Sequence, residues 1–137
     1  MNILFICKYN RFRSRVAEAY FNKINKNKNI QVKSGGVIVG QYPLDKREVR
    51  IARSLGINIH GKPEPITYDK LIWQDRIIIV ANNVPASLFN FNKSRFGKSV
   101  SVWSIPDIKH GEDGKSIEKI VKLIIKHVED LVEELES

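Results

Sequence analysis

The hydrophobic positions of this chain alternate between short unbroken apolar runs and longer stretches with helical spacing. The unbroken runs predict four strands, at residues 3–6, 30–33, 77–81 and 100–103. Helical spacing predicts a first helix from residue 14 to about 26–29, further helices at 45–55, 67–73 and 116–135, and a helical turn at 85–91. Strands that alternate with helices favour an α/β fold, here a three-layer α/β/α domain around a four-stranded parallel sheet.

Several polar residues mark where the predicted helices begin and end. Asp45 is a typical helix N-cap, and Glu48 three residues later completes a capping box. Gly56 supplies the stop of that helix, and Thr67 caps the short helix that follows. The apolar stripe of the last helix keeps helical spacing over its whole length, which is typical of a core-facing helix.

The first strand leads through a tight loop into the first helix, and this loop carries the most suggestive chemistry. Cys7 ends the strand, and Arg13 and Ser14 stand where the helix begins. Loop N–H groups and the first turn of a helix direct partial positive charge at one point, which creates an anion site. The same donors stabilise a thiolate at Cys7, Arg13 can bind two oxygens of a tetrahedral oxyanion, and Ser14 can donate to the sulfur.

A lone cysteine at the end of an apolar strand is also typical of an inert core residue. The basic residues around Cys7 favour the anion site, because like charges repel unless an anion lies between them: Lys8, Arg11, Arg13 and Arg15. The sequence therefore predicts a phosphate-type loop between the first strand and the first helix.

Polar residues follow the other predicted strands, and in a parallel sheet they share one edge with Cys7. The segment Ser34-Gly35-Gly36 follows the second strand, Asn82 the third and Asp107 the fourth. The paired glycines form either a plain turn or a close contact with the loop after Cys7. Asp107 is the carboxylate that comes directly after the fourth strand. A loop aspartate is often only a turn former, but its place across this edge from Cys7 favours a functional role.

Size and composition fit one globular domain spanning residues 1–137, with 42% hydrophobic and 28% charged residues. No apolar stretch has the length of a membrane span, and no secretory leader is recognisable. A single cysteine excludes an internal disulfide and fits the reducing cytoplasm, where we expect the protein to act. The three histidines lack metal-ligand spacing, so neither a metal nor another cofactor is expected.

The net charge of +8 is unevenly distributed. Residues 1–111 hold 19 Lys and Arg against 7 Asp and Glu, a net +12, whereas residues 112–137 hold 4 against 8, a net −4. A basic body attracts anionic substrates or nucleic acid. Scattered basic residues and the lack of a nucleic-acid motif disfavour nucleic acid.

Taken together, these residues resemble the low-molecular-weight protein tyrosine phosphatases, a family that includes the thioredoxin-coupled arsenate reductases. The family's C-x5-R-S loop after the first strand is matched by Cys7, Arg13 and Ser14. Asn10 matches the asparagine that braces this loop, and Ser34 matches the serine that hydrogen-bonds to it. Leu55-Gly56-Ile57 resembles a further family segment, and Asp107 lies where the family carries its general acid.

Some positions depart from the family pattern. Tyr9 stands where family loops usually carry glycine, and Phe12 where many carry a second cysteine. The disulfide that protects those phosphatases and the cysteine relay of arsenate reductases are therefore impossible here. Ile108 replaces the proline that usually follows the acid, and Asn82 an aspartate after the third strand.

The resemblance implies a phosphomonoester hydrolase, expected to be a protein tyrosine phosphatase, with Cys7 as nucleophile and Asp107 as general acid and base. It implies phosphate binding by Arg13 and by the whole loop, namely Lys8, Tyr9, Asn10, Arg11, Phe12, Arg13 and Ser14. The expected partners are phosphoproteins or small phosphomonoesters, free phosphate or sulfate binds, and the chain is a monomer or weak dimer. A catalytically weak relative that binds phosphate or a phosphoprotein and, less favoured, a phosphocysteine carrier domain remain alternatives.

Overall fold

The computed structural model of the protein describes residues 1–89, 99–108 and 113–136. The described chain forms, in order, β1 (Asn2–Cys7), α1 (Arg13–Ile24), β2 (Gln31–Gly36), α2 (Lys46–Ser54), α3 (Tyr68–Trp73), β3 (Arg76–Val80), β4 (Val100–Trp103) and α4 (Gly114–Glu136). A 3-10 turn, Ala86–Phe89, replaces the predicted turn at 85–91, whose end lies outside the described residues. None of the helices described is long and apolar enough to cross a membrane.

The four strands form one parallel sheet in the order β2-β1-β3-β4, which confirms the predicted α/β architecture. β1 lies inside the sheet, where Cys7 pairs with Gly36 of β2 and Ile6 pairs with Ile79 of β3. The chain leaves β1 towards one side for β2 and returns to the other side for β3. Cys7 therefore ends a strand at the point where such sheets open a crevice for ligands.

The two faces of the sheet are covered by different elements, which gives the predicted three layers. On one face Ile3 and Phe5 pack with α1, α2 and α4. On the other face Leu4 and Ile6 pack against α3 and the segment that follows β3. The stripe predicted for the last helix is buried on the first face, at Ile117, Ile120, Val121, Ile124, Val128 and Leu131.

The second strand extends beyond its predicted end at residue 33, because Gly35 and Gly36 continue the pairing with β1. They do not form a plain turn. A Cβ on Gly36 would lie 2.8 Å from the carbonyl carbon of Tyr9 and 2.9 Å from the amide nitrogen of Asn10. The second alternative from the sequence is therefore correct, since this glycine lets β2 touch the loop after Cys7.

The first helix ends at Ile24, earlier than the predicted 26–29. Asn25 is extended, and its side-chain oxygen accepts the N–H of Asn27. Asparagine side chains that bond nearby backbone groups compete with helix continuation, which explains the early end.

The predicted N-caps are both confirmed. The Asp45 carboxylate accepts the N–H groups of Arg47 and Glu48, and the Thr67 hydroxyl accepts that of Lys70. Gly56 follows the end of α2 and has a φ of +83°, a conformation that favours glycine.

Candidate active site

The loop between β1 and α1 is held from inside by Asn10. This residue is fully buried and has a φ of +54°, in the left-handed region that asparagine tolerates better than most residues. Its side-chain nitrogen donates to Ser14 Oγ at 2.8 Å and to Ser34 Oγ at 3.0 Å. Its oxygen accepts the N–H of Glu64 at 2.8 Å and Arg15 Nη1 at 3.2 Å. Asn10 thus ties the loop to three other segments.

Ser34 extends this network at the end of β2. Its hydroxyl accepts from Asn10 and donates to Glu18 Oε1 at 2.6 Å. The predicted contact between the asparagine and the serine is therefore present in the structure. Glu18, on α1, orients the hydroxyl and was not singled out from the sequence.

Cys7 lies below this loop with only 2% of its surface exposed. Its Sγ is 3.0 Å from Ser14 Oγ. Because Ser14 Oγ already accepts from Asn10, its own proton is available for the sulfur. A hydroxyl proton directed at sulfur stabilises the thiolate, the form that acts as a nucleophile.

The backbone of the loop offers further donors. Among the described residues, the N–H groups of residues 8–14 donate to no protein acceptor. Phe12, at the N-cap position of α1, provides no side-chain cap for the first turn. A run of unpaired N–H groups at the start of a helix is a favourable site for an oxyanion.

The guanidinium of Arg13 is buried and held from two sides. Nη1 donates to the carbonyl of Ile105 at 2.9 Å, and Nη2 donates to Asn83 Oδ1 at 3.0 Å. The Nη2 atom also lies 3.6 Å from Asp107 Oδ1. These contacts fix the orientation of Arg13 before any ligand binds. The residue after β3 that contacts Arg13 is Asn83, which was not singled out from the sequence.

Asp107 lies across the loop from Cys7 and is 44% exposed. Its carboxylate accepts the N–H of Ile108 at 2.9 Å and lies 3.5 Å from Asn83 Nδ2. The group is thus oriented by backbone and side-chain donors, yet remains open to solvent and to a ligand.

A cavity of about 120 Å³ joins these groups. Three predicted catalytic residues line it, together with members of the loop and two residues beyond it: Cys7, Arg13, Asp107, Tyr9, Arg11, Phe12, Glu48 and Ile108. The other predicted loop residues lie around it rather than in its wall. Lys8 places its ammonium 5.2 Å from the centre of the Tyr9 ring.

Glu48 is the cavity residue that the sequence did not indicate, because its spacing from Asp45 fits a capping box. The first turn of α2 carries the half-buried side chain to the cavity wall. Burial, and then the charges of Asp45 and Asp107, raise the pKa of Glu48 from 4.5 to about 7, while Arg11 and Arg47 oppose the rise.

A second, mostly apolar hollow of about 330 Å³ adjoins the first one. The two share Tyr9 and Arg11, and the rest of the hollow is formed by Ile38, Gly40, Tyr42 and Pro63. Tyr9 is 40% exposed and lines both hollows, so this position of the loop has room for a large side chain. Tyr42 is 73% exposed, and the guanidinium of Arg11 lies 5.8 Å from the centre of its ring.

A larger hollow of about 720 Å³ lies on the other side of Arg15, between α1 and residues 58–64, and contains neither Cys7 nor Asp107. No three His, Cys, Asp or Glu side chains of residues 1–89, 99–108 and 113–136 are grouped as metal ligands. Among the described hollows, Cys7, Arg13 and Asp107 come together in the small cavity.

The sequence profile of the low molecular weight phosphotyrosine protein phosphatases matches residues 2–137. The chain belongs to this family. The resemblance noted from the sequence is thereby confirmed, and the match favours a phosphatase over a carrier domain. No curated protein sequence matches the chain.

Solved structures of two phosphatases and of an arsenate reductase share the fold. A low molecular weight phosphotyrosine phosphatase from Vibrio cholerae O395 has 19% identity and a TM-score of 0.86, over 100% of this chain and 97% of that chain. The YwlE arginine phosphatase of Geobacillus stearothermophilus has 16% identity and a TM-score of 0.78, over 98% and 92%. An arsenate reductase from Archaeoglobus fulgidus has 24% identity and a TM-score of 0.71, over 95% and 98%. The fold is therefore common to relatives that differ in substrate.

Proposed function

We propose that the protein hydrolyses phosphomonoesters, phosphotyrosine above all, through a phosphocysteine intermediate at Cys7. The observation that carries the proposal is the small cavity, where Cys7, Arg13 and Asp107 lie together beside a run of unpaired loop N–H groups. Nucleophile, oxyanion donors and acid are the parts that phosphoryl transfer requires. The family match supports a phosphatase.

In the first step the Cys7 thiolate attacks phosphorus and forms the S–P bond as the P–O bond of the ester breaks. Asp107, protonated at this stage, gives its proton to the departing oxygen. Arg13 and the loop N–H groups hold the remaining phosphoryl oxygens, so that charge developing on them meets fixed donors. The alcohol or phenol leaves, and Asp107 becomes ionised.

In the second step water attacks the phosphorus of phosphocysteine, and Asp107 takes a proton from that water. The S–P bond breaks, phosphate leaves, and the sulfur returns to the thiolate. Ser14, 3.0 Å from Sγ, stabilises the thiolate as a leaving group by donating its hydroxyl proton.

The walls of the site support an aromatic substrate within a protein. Tyr9 and Phe12 line the cavity, and Tyr42 stands at the adjoining apolar hollow. The charged ends of Lys8 and Arg11 beside these rings favour acidic surroundings of the phosphorylated residue. We infer that the substrate is a phosphoprotein whose aromatic leaving group lies between these rings.

The test is hydrolysis of para-nitrophenyl phosphate, followed by peptides that carry phosphotyrosine, phosphoserine or phosphoarginine. We expect phosphotyrosine to be the best peptide substrate and Cys7→Ser to lose turnover by at least about 10⁴-fold. Full turnover in Cys7→Ser contradicts the mechanism, and a preference for phosphoarginine contradicts the assigned leaving group. If the wild type is inert and phosphate still raises its melting temperature, the chain is a phosphate-binding relative.

A further inference from the structure

Glu48 is a carboxyl group in the wall of an anion site, and the mechanism above does not use it. It lines the same small cavity as Cys7, Arg13 and Asp107. An ionised carboxylate there repels a phosphate dianion, since charges of like sign a few ångströms apart disfavour each other strongly in a partly buried site. A role for Glu48 must therefore account for its charge.

The cations of the cavity are already partly engaged. Arg13 donates to Ile105 and Asn83 and lies 3.6 Å from Asp107. Arg11 donates through Nε to the carbonyl of Pro43 at 3.0 Å. Two guanidinium groups therefore face the thiolate, two carboxyl groups and the incoming dianion. Asp107 carries the proton that it gives to the leaving group, and the charge balance improves further when Glu48 is neutral as well.

The surroundings of Glu48 favour the neutral form. Its own helix presents the Asp45 carboxylate and the Arg47 guanidinium, the loop after β1 presents Arg11, and the segment after β4 presents Asp107. Burial and the two carboxylates raise the pKa of Glu48 to about 7, against the two arginines. A neutral carboxyl also has an O–H that donates to a phosphoryl oxygen, whereas the ionised form only accepts.

We propose that Glu48 is a residue of the phosphoryl-binding site that takes part in binding only in its protonated form. Anion binding is then coupled to uptake of one proton by this carboxyl and weakens as the pH rises. The proton stays on Glu48 throughout, so Glu48 is a binding residue and leaves the acid and base steps to Asp107. The proposal rests on the phosphoryl site described under the proposed function.

The experiment measures sulfate binding by calorimetry between pH 5.5 and 8.5, with the full chain carrying Cys7→Ser. Sulfate remains a dianion over this range, and the substitution removes the nucleophilic sulfur of the proposed mechanism, so that the experiment measures binding alone. We expect the dissociation constant to rise above about pH 7, towards tenfold per pH unit. Buffers of different ionisation heat then show proton uptake on binding.

Glu48→Gln in the same background keeps the shape of the neutral acid. We expect it to bind sulfate at pH 8.5 at least about tenfold more tightly than its parent, with little pH dependence and no proton uptake. Glu48→Ala is expected to lose the pH dependence as well, but to bind more weakly at pH 5.5 because it lacks the donor. The matched control Glu64→Gln, an exposed carboxyl outside the cavity, keeps the parental pH dependence.

The failures can be told apart. If sulfate binds and its pH dependence is unchanged by Glu48→Gln, the proposal for Glu48 is wrong while the phosphoryl site stands. If the dependence instead disappears in His110→Gln, a histidine outside the described part of the chain, Glu48 is equally excluded. Absence of sulfate binding at every pH would contradict both the site and the role of Glu48.

Discussion

The floor of the candidate site is buried and internally bonded, whereas its rim is exposed and mostly apolar. The floor comprises Cys7, Asn10, Arg13, Ser14 and Ser34, each at most 3% exposed. The rim comprises Tyr9, Ile38 and Tyr42, exposed by 40%, 56% and 73%. A buried polar floor keeps its geometry because every displaced group leaves an unsatisfied partner. Under the proposed function, we therefore expect the floor to decide whether phosphoryl transfer occurs and the rim to decide which substrate reaches it.

Substitution of Asp107 tests whether exposure alone separates the two regions. This residue is 44% exposed, and yet it is the acid and base of the proposed mechanism. We expect Asp107→Asn to lower kcat by roughly 10²- to 10⁴-fold, because the amide cannot give a proton to the leaving oxygen. The loss should be larger for phenyl phosphate than for para-nitrophenyl phosphate, whose leaving group needs less help. Steady-state kinetics with both esters measure this. Equal losses for the two would show that Asp107 positions Arg13 instead.

Gly36→Ala is expected to disturb the floor from the neighbouring strand β2. The new Cβ would meet the backbone of Tyr9 and Asn10 at 2.8 and 2.9 Å, and backbone atoms yield less readily than side chains. We expect a loss of about 2 kcal/mol in the free energy of unfolding and a parallel fall in kcat/KM. Urea unfolding and kinetics measure both.

The matched control is Gly40→Ala on the rim, where the new Cβ would lie 3.8 Å from Tyr42 Cδ2, an ordinary contact. It should leave stability and turnover of para-nitrophenyl phosphate close to wild type. Equal effects of the two alanines would remove the distinction between floor and rim.

The floor was predictable from the sequence to a greater degree than the other residues that line the cavity. Cys7, Arg13 and Ser14 lie within one strand-loop-helix segment, so local spacing fixes their proximity. Glu48 comes from another element, and its spacing from Asp45 has a sufficient local explanation as a helix cap. Only the packing of α2 beside the loop brings it to the cavity, and no local pattern encodes that packing. The contact of Asn83 with Arg13 likewise depends on how the segment after β3 meets the loop, and it was not predicted from the sequence.

On the rim, Ile38→Ser tests substrate selection. Ile38 lines the apolar hollow beside the cavity, so we expect kcat/KM for phosphotyrosine peptides with apolar neighbouring residues to fall by up to about tenfold. Para-nitrophenyl phosphate, which is too small to reach the hollow, should be hydrolysed at the wild-type rate. Ile72→Ser on α3 is the control, because Ile72 is similarly exposed and lies outside both hollows. Equal effects of the two substitutions would show that the hollow does not select substrates.

Glu48 lies between the floor and the rim, and its substitution is expected to have the smallest effect, a change in how stability depends on pH. Between about pH 5 and 7 the folded chain keeps a proton on Glu48 that the unfolded chain releases, because folding raises the pKa of this carboxyl to about 7. The free energy of unfolding therefore falls as the pH rises through this range, by about 1 kcal/mol once solvent screening of the half-buried group is allowed for.

Glu48→Gln should raise the melting temperature at pH 8 by about 3 °C and leave it unchanged at pH 5. Glu64→Gln, an exposed control, should shift it equally at both pH values. A Glu48→Gln shift that is the same at pH 5 and pH 8 would mean that the carboxyl is ionised in the folded protein, and the site would then bind phosphate against two carboxylates.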